Sequence, residues 1–217
     1  MALRLHRHGR FRRWLGARLG GDEARGDRAW RRILHGLGAA AVVYYVIPTN
    51  FFLVAPKEWI LLAALAVILA LEVLRHLAGL QLPTIRDYEA HRIGSYALYS
   101  IALVLALLVF PEPIGAAVIL GTAIVDPVAG ELRANSGYRS WSPALPFALY
   151  SVLAFAGLAG IGRWPLLDSA GLAVLAGALA VVVEGPTIRW MDDDLAMVIV
   201  PGVAVYLTAY FALGLVG

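Results

Sequence analysis

The sequence contains no cysteine, which excludes disulfides, thiolate metal sites and cysteine nucleophiles. It has one lysine, Lys57, and no G-x-x-x-x-G-K-[ST] motif, so a lysine-based phosphate loop is also excluded. No H-E-x-x-H or G-x-S-x-G motif occurs. Charged residues make up only 15% of the chain, against about a quarter in an ordinary soluble domain. Any phosphate chemistry would therefore depend on arginines, helix ends, and carboxylates with a metal ion.

Apolar residues dominate instead, at 60% of the 217 positions. They form seven segments, and a membrane-spanning helix needs about 20 such residues. The second and sixth segments are short, and the fourth is interrupted by Asp126 and Pro127. We therefore expect an all-α, polytopic transmembrane bundle of about seven spans over residues 31–217. The segments are 33–54, 59–74, 93–110, 114–133, 144–161, 170–183 and 195–216.

The charged residues are unevenly distributed between the two sides of this arrangement. With the N-terminus inside, sixteen of the eighteen Lys and Arg residues fall on the cytoplasmic side, leaving Lys57 and Arg163 outside. Lys and Arg accumulate in cytoplasmic loops, so a cytoplasmic N-terminus in the inner membrane is expected. Twelve of the fifteen acidic residues fall on the same side, which topology does not require. This excess predicts a polar site on the cytoplasmic face.

Residues 1–30 form a basic segment that we expect to be cytoplasmic. Phe11, Trp14, Leu15 and Leu19 are spaced to share one helical face, which favours a short helix on an anionic membrane surface. A disordered basic tail is the alternative. Because the basic residues concentrate in this segment and in short loops, nucleic acid is not an expected partner.

Asp126 and Pro127 interrupt the fourth apolar segment. Asp followed by Pro is typical of a helix start, so we expect one helix to end near Val125 and another to begin at Asp126. A helix N-terminus below the headgroups would suit an anionic group. The alternative is a simple kink with Asp126 solvated at the interface.

Two further strings carry candidate polar groups. Asp192, Asp193 and Asp194 open the last segment, close in sequence to Glu184 and Arg189. Three aspartates favour a helix N-terminus, but they also repel one another unless a cation such as Mg²⁺ neutralises them.

In the string YRSWSP, the planar guanidinium of Arg139 and the hydroxyl of Ser140 could bind a phosphate, although such strings are more often interfacial anchors. Glu72 and Arg75 can pair at i, i+3, and His35 can satisfy a backbone carbonyl. Because polar groups are costly in a membrane, functional roles for these residues are also open.

Seven short motifs occur in order along the chain. They are Arg31-Arg32-x-x-His35, Glu72-x-x-Arg75, Glu89-x-x-Arg92-x-Gly94-Ser95, Asp126-Pro-Val-Ala129, Arg139-Ser140, Glu184 and Asp192-Asp193-Asp194-Leu195. This order resembles the CTP-dependent lipid kinase family of dolichol kinase, phytol kinase and yeast-type diacylglycerol kinase, which is related to phosphatidate cytidylyltransferase. The resemblance covers most of the chain. Departures are Val125 for a glycine, Arg139 for a lysine, Ser142 and Pro143 for a glutamate and a glycine, and Asp194 for an asparagine.

The resemblance implies transfer of the γ-phosphate of CTP to a lipid alcohol from the bilayer, with Mg²⁺ as cofactor. A CDP-lipid synthase and an inactive, lipid-binding membrane protein are the alternatives. The implied roles are catalysis by Asp126, Glu184 and Asp193, metal binding by Asp126, Asp192, Asp193 and Asp194, nucleotide or phosphate binding by Arg92, Gly130, Arg139, Ser140 and Arg189, and other roles for His35, Glu72 and Glu89.

Overall fold

The computed structural model describes residues 32–49, 56–79, 92–136, 143–184 and 192–216, and the side chains of all of these except 134–136. The basic segment 1–30 lies outside this part of the chain. The first described residues, 32–37, are α-helical and continue into a 3-10 helix, Gly38–Tyr45; together they are called the N-terminal segment. The helices that follow are α1 (Lys57–Ala78), α2 (Ser95–Val109), α3 (Glu112–Ser136), α4 (Ala144–Phe155, extended as a π-helix over Ala156–Ile161), α5 (Leu166–Glu184) and α6 (Asp193–Phe211).

The all-α expectation is confirmed for the described residues, which contain no strand. Among the described residues, five helices are long and apolar enough to cross a membrane. Two apolar segments are longer than expected, because α1 and α5 include charged residues in their end turns and reach 22 and 19 residues. α2 is shorter than expected, with 15 residues. The five candidate spans are Lys57–Ala78, Glu112–Arg133, Ala144–Ile161, Leu166–Glu184 and Asp193–Phe211.

The predicted helix break at Asp126 is wrong. α3 runs without interruption from Glu112 to Ser136 and contains Pro127 in its interior. Proline removes one i→i−4 hydrogen bond, a cost that neighbouring helices can offset in a membrane bundle. Val125 and Ala129, on either side of the Asp-Pro pair, are fully buried, so packing holds the helix through this point. Asp126 is therefore a mid-helix residue and not a helix cap.

Small residues allow the helices to approach closely. A Cβ at Gly157 would lie 2.7 Å from the backbone nitrogen of Ala117, so α4 and α3 meet there with almost no side chain between them. The ring of Tyr150 lies against Gly121, where a Cβ would come within 2.6 Å of it. Such contacts are typical of membrane helices, whose association depends on close packing because lipid tails are as apolar as the side chains.

Pro201 leaves a backbone carbonyl in α6 without its usual intrahelical donor. That carbonyl belongs to Met197, four residues earlier, and two side chains donate to it instead. Thr122 Oγ1 of α3 lies 3.1 Å from the Met197 oxygen, and the hydroxyl of Tyr150 in α4 lies 2.9 Å from it. All three groups are buried. One carbonyl oxygen, with two lone pairs, thus joins three helices.

The N-terminal segment is fixed to α1 at the end of the bundle where Tyr44, Lys57 and Glu112 lie. This end is called the far end. Lys57 Nζ donates to the carbonyl oxygens of Tyr44 at 3.1 Å and Ile47 at 2.9 Å, and lies 4.4 Å from the centre of the Tyr44 ring. The only lysine therefore satisfies carbonyls at the end of the 3-10 helix.

We expect Tyr150→Phe to lower the free energy of unfolding by about 1 kcal/mol, because the Met197 oxygen loses a buried donor. In a Pro201→Ala background, the new backbone N–H can donate to the same oxygen. Tyr150→Phe should then lower the free energy of unfolding by less than half as much. Unfolding of the four proteins of this cycle in detergent measures both values. Tyr210→Phe, at a tyrosine that is 45% exposed, is the control. An equal cost of Tyr150→Phe in both backgrounds would contradict this account.

Candidate functional site

A cavity of about 640 Å³ opens at the end of the bundle opposite Lys57, where α3 and α5 finish and α2 and α6 begin. The N-terminal segment, α2, α3 and α6 form its walls. Leu34, Leu37 and Leu103 give it an apolar side, and most of the other side chains that line it are polar or charged. A pocket of this size, apolar with a few convergent polar groups, is the usual form of a small-molecule site.

Two aspartates and a histidine converge in this cavity. His35 Nε2 lies 3.7 Å from Asp126 Oδ2 and 3.8 Å from Asp194 Oδ1. The three side chains come from the N-terminal segment, α3 and α6, and the aspartates are 68 positions apart in sequence. Only about a tenth to a fifth of each side chain is exposed. Asp126 thus lies near one member of the predicted triplet, Asp194.

Tyr99 of α2 holds the histidine in place. Its ring stacks on the His35 ring with centroids 4.0 Å apart, and its hydroxyl donates to the His35 carbonyl oxygen at 3.4 Å. The Tyr99 hydroxyl lies directly against Gly38, where a Cβ would come within 2.1 Å of it. The glycine thus makes room for the tyrosine that orients the histidine.

The three successive aspartates have different environments. Asp192 is the N-cap of α6, and its carboxylate accepts the backbone N–H of Asp194 at 3.1 Å. Asp193 and Asp194 line the cavity, whereas Asp192 lies outside its lining. Capping explains Asp192, so the structural interpretation of the triplet holds for that residue.

α3 presents a polar face to the cavity. Asp126, Gly130 and Arg133 are spaced i, i+4 and i+7 and all line it. A Cβ at Gly130 would meet nothing within 4 Å, so this face is open at its middle. Arg133 Nη2 lies 2.7 Å from Glu184 Oε1, and its Nη1 donates to the Glu184 carbonyl oxygen at 3.2 Å. Glu184 is thus tied to the site through Arg133, and Arg32 forms an ion pair with Glu131 nearby.

Glu72 and Arg75 form the predicted i, i+3 pair, and both are buried. Arg75 donates to the two Glu72 carboxylate oxygens at 2.8 and 2.7 Å, and also to the Arg92 carbonyl oxygen. Glu72 accepts the Gly94 N–H at 2.8 Å and the Tyr96 hydroxyl. The pair therefore fixes the start of α2, whose Tyr96 and Tyr99 line the cavity.

The predicted site residues fall into three groups. Those that line the cavity are His35, Asp126, Gly130, Asp193 and Asp194. Those described but outside its lining are Glu72, Arg92, Asp192 and Glu184. Those outside the described part of the chain are Glu89, Arg139, Ser140 and Arg189.

Several lining residues were not predicted as site residues. Arg32 was predicted only as part of a motif, and Arg133 only as one of the cytoplasmic basic residues. Ser95, Tyr96, Tyr99 and Ser100 line the cavity from α2. Their spacing, Ser95 to Tyr99 and Tyr96 to Ser100, is i, i+4, so a polar face in an otherwise apolar segment was the available signal.

No protein-family model, curated protein or solved structure matches this chain. Function must therefore be inferred from the site itself and from the resemblance of its motifs.

The donor atoms of the site suit a divalent cation. Those of His35, Asp126 and Asp194 all lie within 4.8 Å of one another, as do those of the three successive aspartates. Carboxylates with water and phosphate oxygens are the usual ligands of Mg²⁺. Asp126 and Asp194 fit this requirement and Asp192, which caps α6, is engaged elsewhere.

We expect Glu72→Gln to destabilise the protein by about 3 kcal/mol or more, because Arg75 is left buried without its countercharge. Glu131→Gln is the matched control, since it breaks an Arg–Glu pair in which Glu131 is 47% exposed and should cost no more than about 1 kcal/mol. Unfolding in detergent measures both variants. Similar losses in the two variants would contradict the structural role of the buried pair.

The absence of cysteine allows a direct test of the site geometry. We expect the double variant Asp126→Cys/Asp194→Cys to be joined within one chain by a short bifunctional thiol reagent, as mass spectrometry of its peptides would show. The control pair is Asp126→Cys/Asp168→Cys, because Asp168 is in the first turn of α5 at the far end. Equal crosslinking of both pairs, or none of the first, would refute the convergence of α3 and α6.

Proposed function

We propose that the chain is a lipid kinase of the cytoplasmic membrane, with about seven spans and a cytoplasmic N-terminus. It transfers the γ-phosphate of CTP to a lipid alcohol such as a polyprenol, a phytol-like alcohol or diacylglycerol. The nucleotide and the lipid class come from the resemblance of the motifs. What the molecule adds is a cavity with both polar and apolar walls at one end of the bundle.

The observation that carries the proposal is the convergence of Asp126 and Asp194 at this cavity. The two carboxylates lie on different helices, so a nucleotide's phosphates and their cation can be held between α3 and α6. When bound, Mg²⁺ would neutralise phosphate charge, with Asp126 and Asp194 as its protein ligands. Phosphoryl transfer depends mainly on positioning and charge stabilisation, which such a site can provide.

Arg32 and Arg133 support phosphate binding. Each is paired with a carboxylate, Glu131 or Glu184, yet lines the cavity. A guanidinium has five N–H donors in a fixed plane, so a pair with one carboxylate leaves others for a phosphate oxygen. The carboxylates would thus orient the arginines toward the ligand.

The apolar wall supports a lipid acceptor. Leu34, Leu37 and Leu103 line the same cavity as the acids. Leu34 and Leu37 are 42% and 61% exposed, so the N-terminal segment offers an apolar surface beside the site. A lipid alcohol could reach its hydroxyl to the acids from this side and keep its chain in the bilayer. The proton of that hydroxyl would pass to a carboxylate that lines the cavity, Asp126 or Asp193.

Labelled CTP tests the proposal with purified protein and a panel of lipid alcohols. Label at the γ position should reach lipid and label at the α position should not. Asp126→Asn should reduce transfer by about 100-fold or more, because the site loses a charged ligand from a helix that stays intact. Asp168→Asn, at the far end of the bundle, should leave transfer unchanged.

Two other results would replace the proposal. Transfer of α label to lipid would indicate a CDP-lipid synthase. Transfer of neither label, with retained lipid binding, would indicate a non-catalytic lipid-binding protein.

A further inference from the structure

We infer that the His35, Asp126 and Asp194 side chains form a three-ligand site for a first-row divalent transition ion such as Mn²⁺, which they bind in preference to Mg²⁺. The inference names the cation of the proposed kinase site, and only the cation's role in transfer rests on that proposed function. Whether the ion binds can be measured without nucleotide or lipid.

The geometry of the three donor atoms favours an ion between them. The two distances from His35 Nε2, 3.7 and 3.8 Å, exceed the length of a direct hydrogen bond. An ion about 2.1 Å from each donor places neighbouring ligands about 3.0 to 3.4 Å apart and opposite ligands about 4.2 Å apart. The observed distances fall between the neighbouring and the opposite spacing, and all three donor atoms lie within 4.8 Å of one another, close enough to surround one ion.

The ring of His35 is held in the orientation that such a ligand needs. Tyr99 stacks on the ring and donates to the backbone oxygen of the same residue. The Nε2 atom is itself buried and faces both carboxylates. Ligands that are oriented by their neighbours bind metal more tightly than free ones, and such support is typically worth 10-fold to 100-fold in affinity.

The chemistry of the donor set decides the class of ion. Mg²⁺ takes oxygen ligands and keeps much of its water, so an imidazole adds little to its binding. Mn²⁺ and the later first-row ions accept both carboxylate and imidazole, and they bind mixed sites with affinities that rise along the series. A site with one imidazole and two carboxylates therefore favours these ions over Mg²⁺.

The three successive aspartates, Asp192, Asp193 and Asp194, are a weaker candidate for the metal site. Its members are adjacent at a helix N-terminus, where acidic residues are common without a metal. Asp192 accepts the Asp194 N–H and so acts as a cap. The His35 group instead unites three separate elements around one cavity.

Mn²⁺ binding to the chelator-treated full chain in detergent tests the inference, with the electron paramagnetic resonance signal of free Mn²⁺ as readout. We expect one ion per chain and an affinity at least tenfold above that for Mg²⁺, measured by competition. His35→Asn should weaken Mn²⁺ binding tenfold or more and change Mg²⁺ binding less than threefold. His76→Asn, at a histidine of α1 outside the cavity lining, is the control and should change neither.

A second variant tests the inference if His35→Asn disturbs the fold. The chain has no cysteine, so His35→Cys places one soft ligand in the site without background. We expect this variant to bind Cd²⁺ at least tenfold more tightly than the parent and Mn²⁺ less tightly. A purely structural role of His35 would not change the metal preference in this way.

The outcomes separate the inference from the proposed function. Equal affinities for Mn²⁺ and Mg²⁺, or Mn²⁺ binding that ignores both His35 variants, would overturn the inference and leave the kinase proposal standing. His35-dependent Mn²⁺ binding without γ-phosphate transfer under any metal would support the inference and refute the kinase. No Mn²⁺ binding at all would overturn the inference, because His35 and the two aspartates would then lie together without an ion.

Discussion

The carbonyl oxygen of Met197 is the point on which the geometry of the site depends. Pro201 deprives it of its intrahelical donor, and Thr122 and Tyr150 supply two donors from other helices. A buried carbonyl without partners would be costly in a bilayer, so α3, α4 and α6 are held in one relative position. Thr122 is one turn from Asp126, and Met197 is three residues from Asp194. The same bonds that join the helices therefore set the separation of the two aspartates.

The second constraint is the cost of charge within a membrane bundle. The charged groups of the site lie at one end, and Lys57, Glu58 and Glu112 begin helices at the other. Glu72 and Glu184 are buried, and they are paired with Arg75 and Arg133. Each of these pairs also fixes an element beside the cavity. Pairing that satisfies buried charge thus also shapes the site.

The all-α class, the long apolar helices and part of the site could be predicted from the sequence, whereas five helices of spanning length among the described residues do not confirm the seven predicted spans. Long apolar segments indicated membrane helices, and spacing alone indicated the Glu72–Arg75 pair. The order of motifs, together with the excess of acids on one side, indicated that Asp126 and the aspartate triplet would meet. These signals are strong because the cost of polar groups in a membrane leaves few other arrangements.

The sequence was misleading where a local signal competed with packing. Asp-Pro is a helix-start signal in isolation, but Val125 and Ala129 are buried in the bundle and α3 continues through it. Tyr99 was not predicted as a site residue because a tyrosine within an apolar run resembles an ordinary membrane residue. Its role appears only when Gly38 brings the N-terminal segment against it, and no local pattern predicts that contact.

The continuity of α3 changes how the cavity must work. A broken helix would have offered its new N-terminus to an anion at Asp126, with backbone N–H groups as the ligands. In the continuous helix those N–H groups belong to the helix interior, so side chains must bind the ligand. Arg133 is seven residues from Asp126, or about 10 Å along the axis, on the same face. The character of the cavity therefore changes along α3. Arg133 lies at its outer end, Asp126 lies further in, and the leucines lie beside Asp126. In the proposed kinase, this order would place the nucleotide phosphates toward Arg133 and the lipid chain between the N-terminal segment and α2.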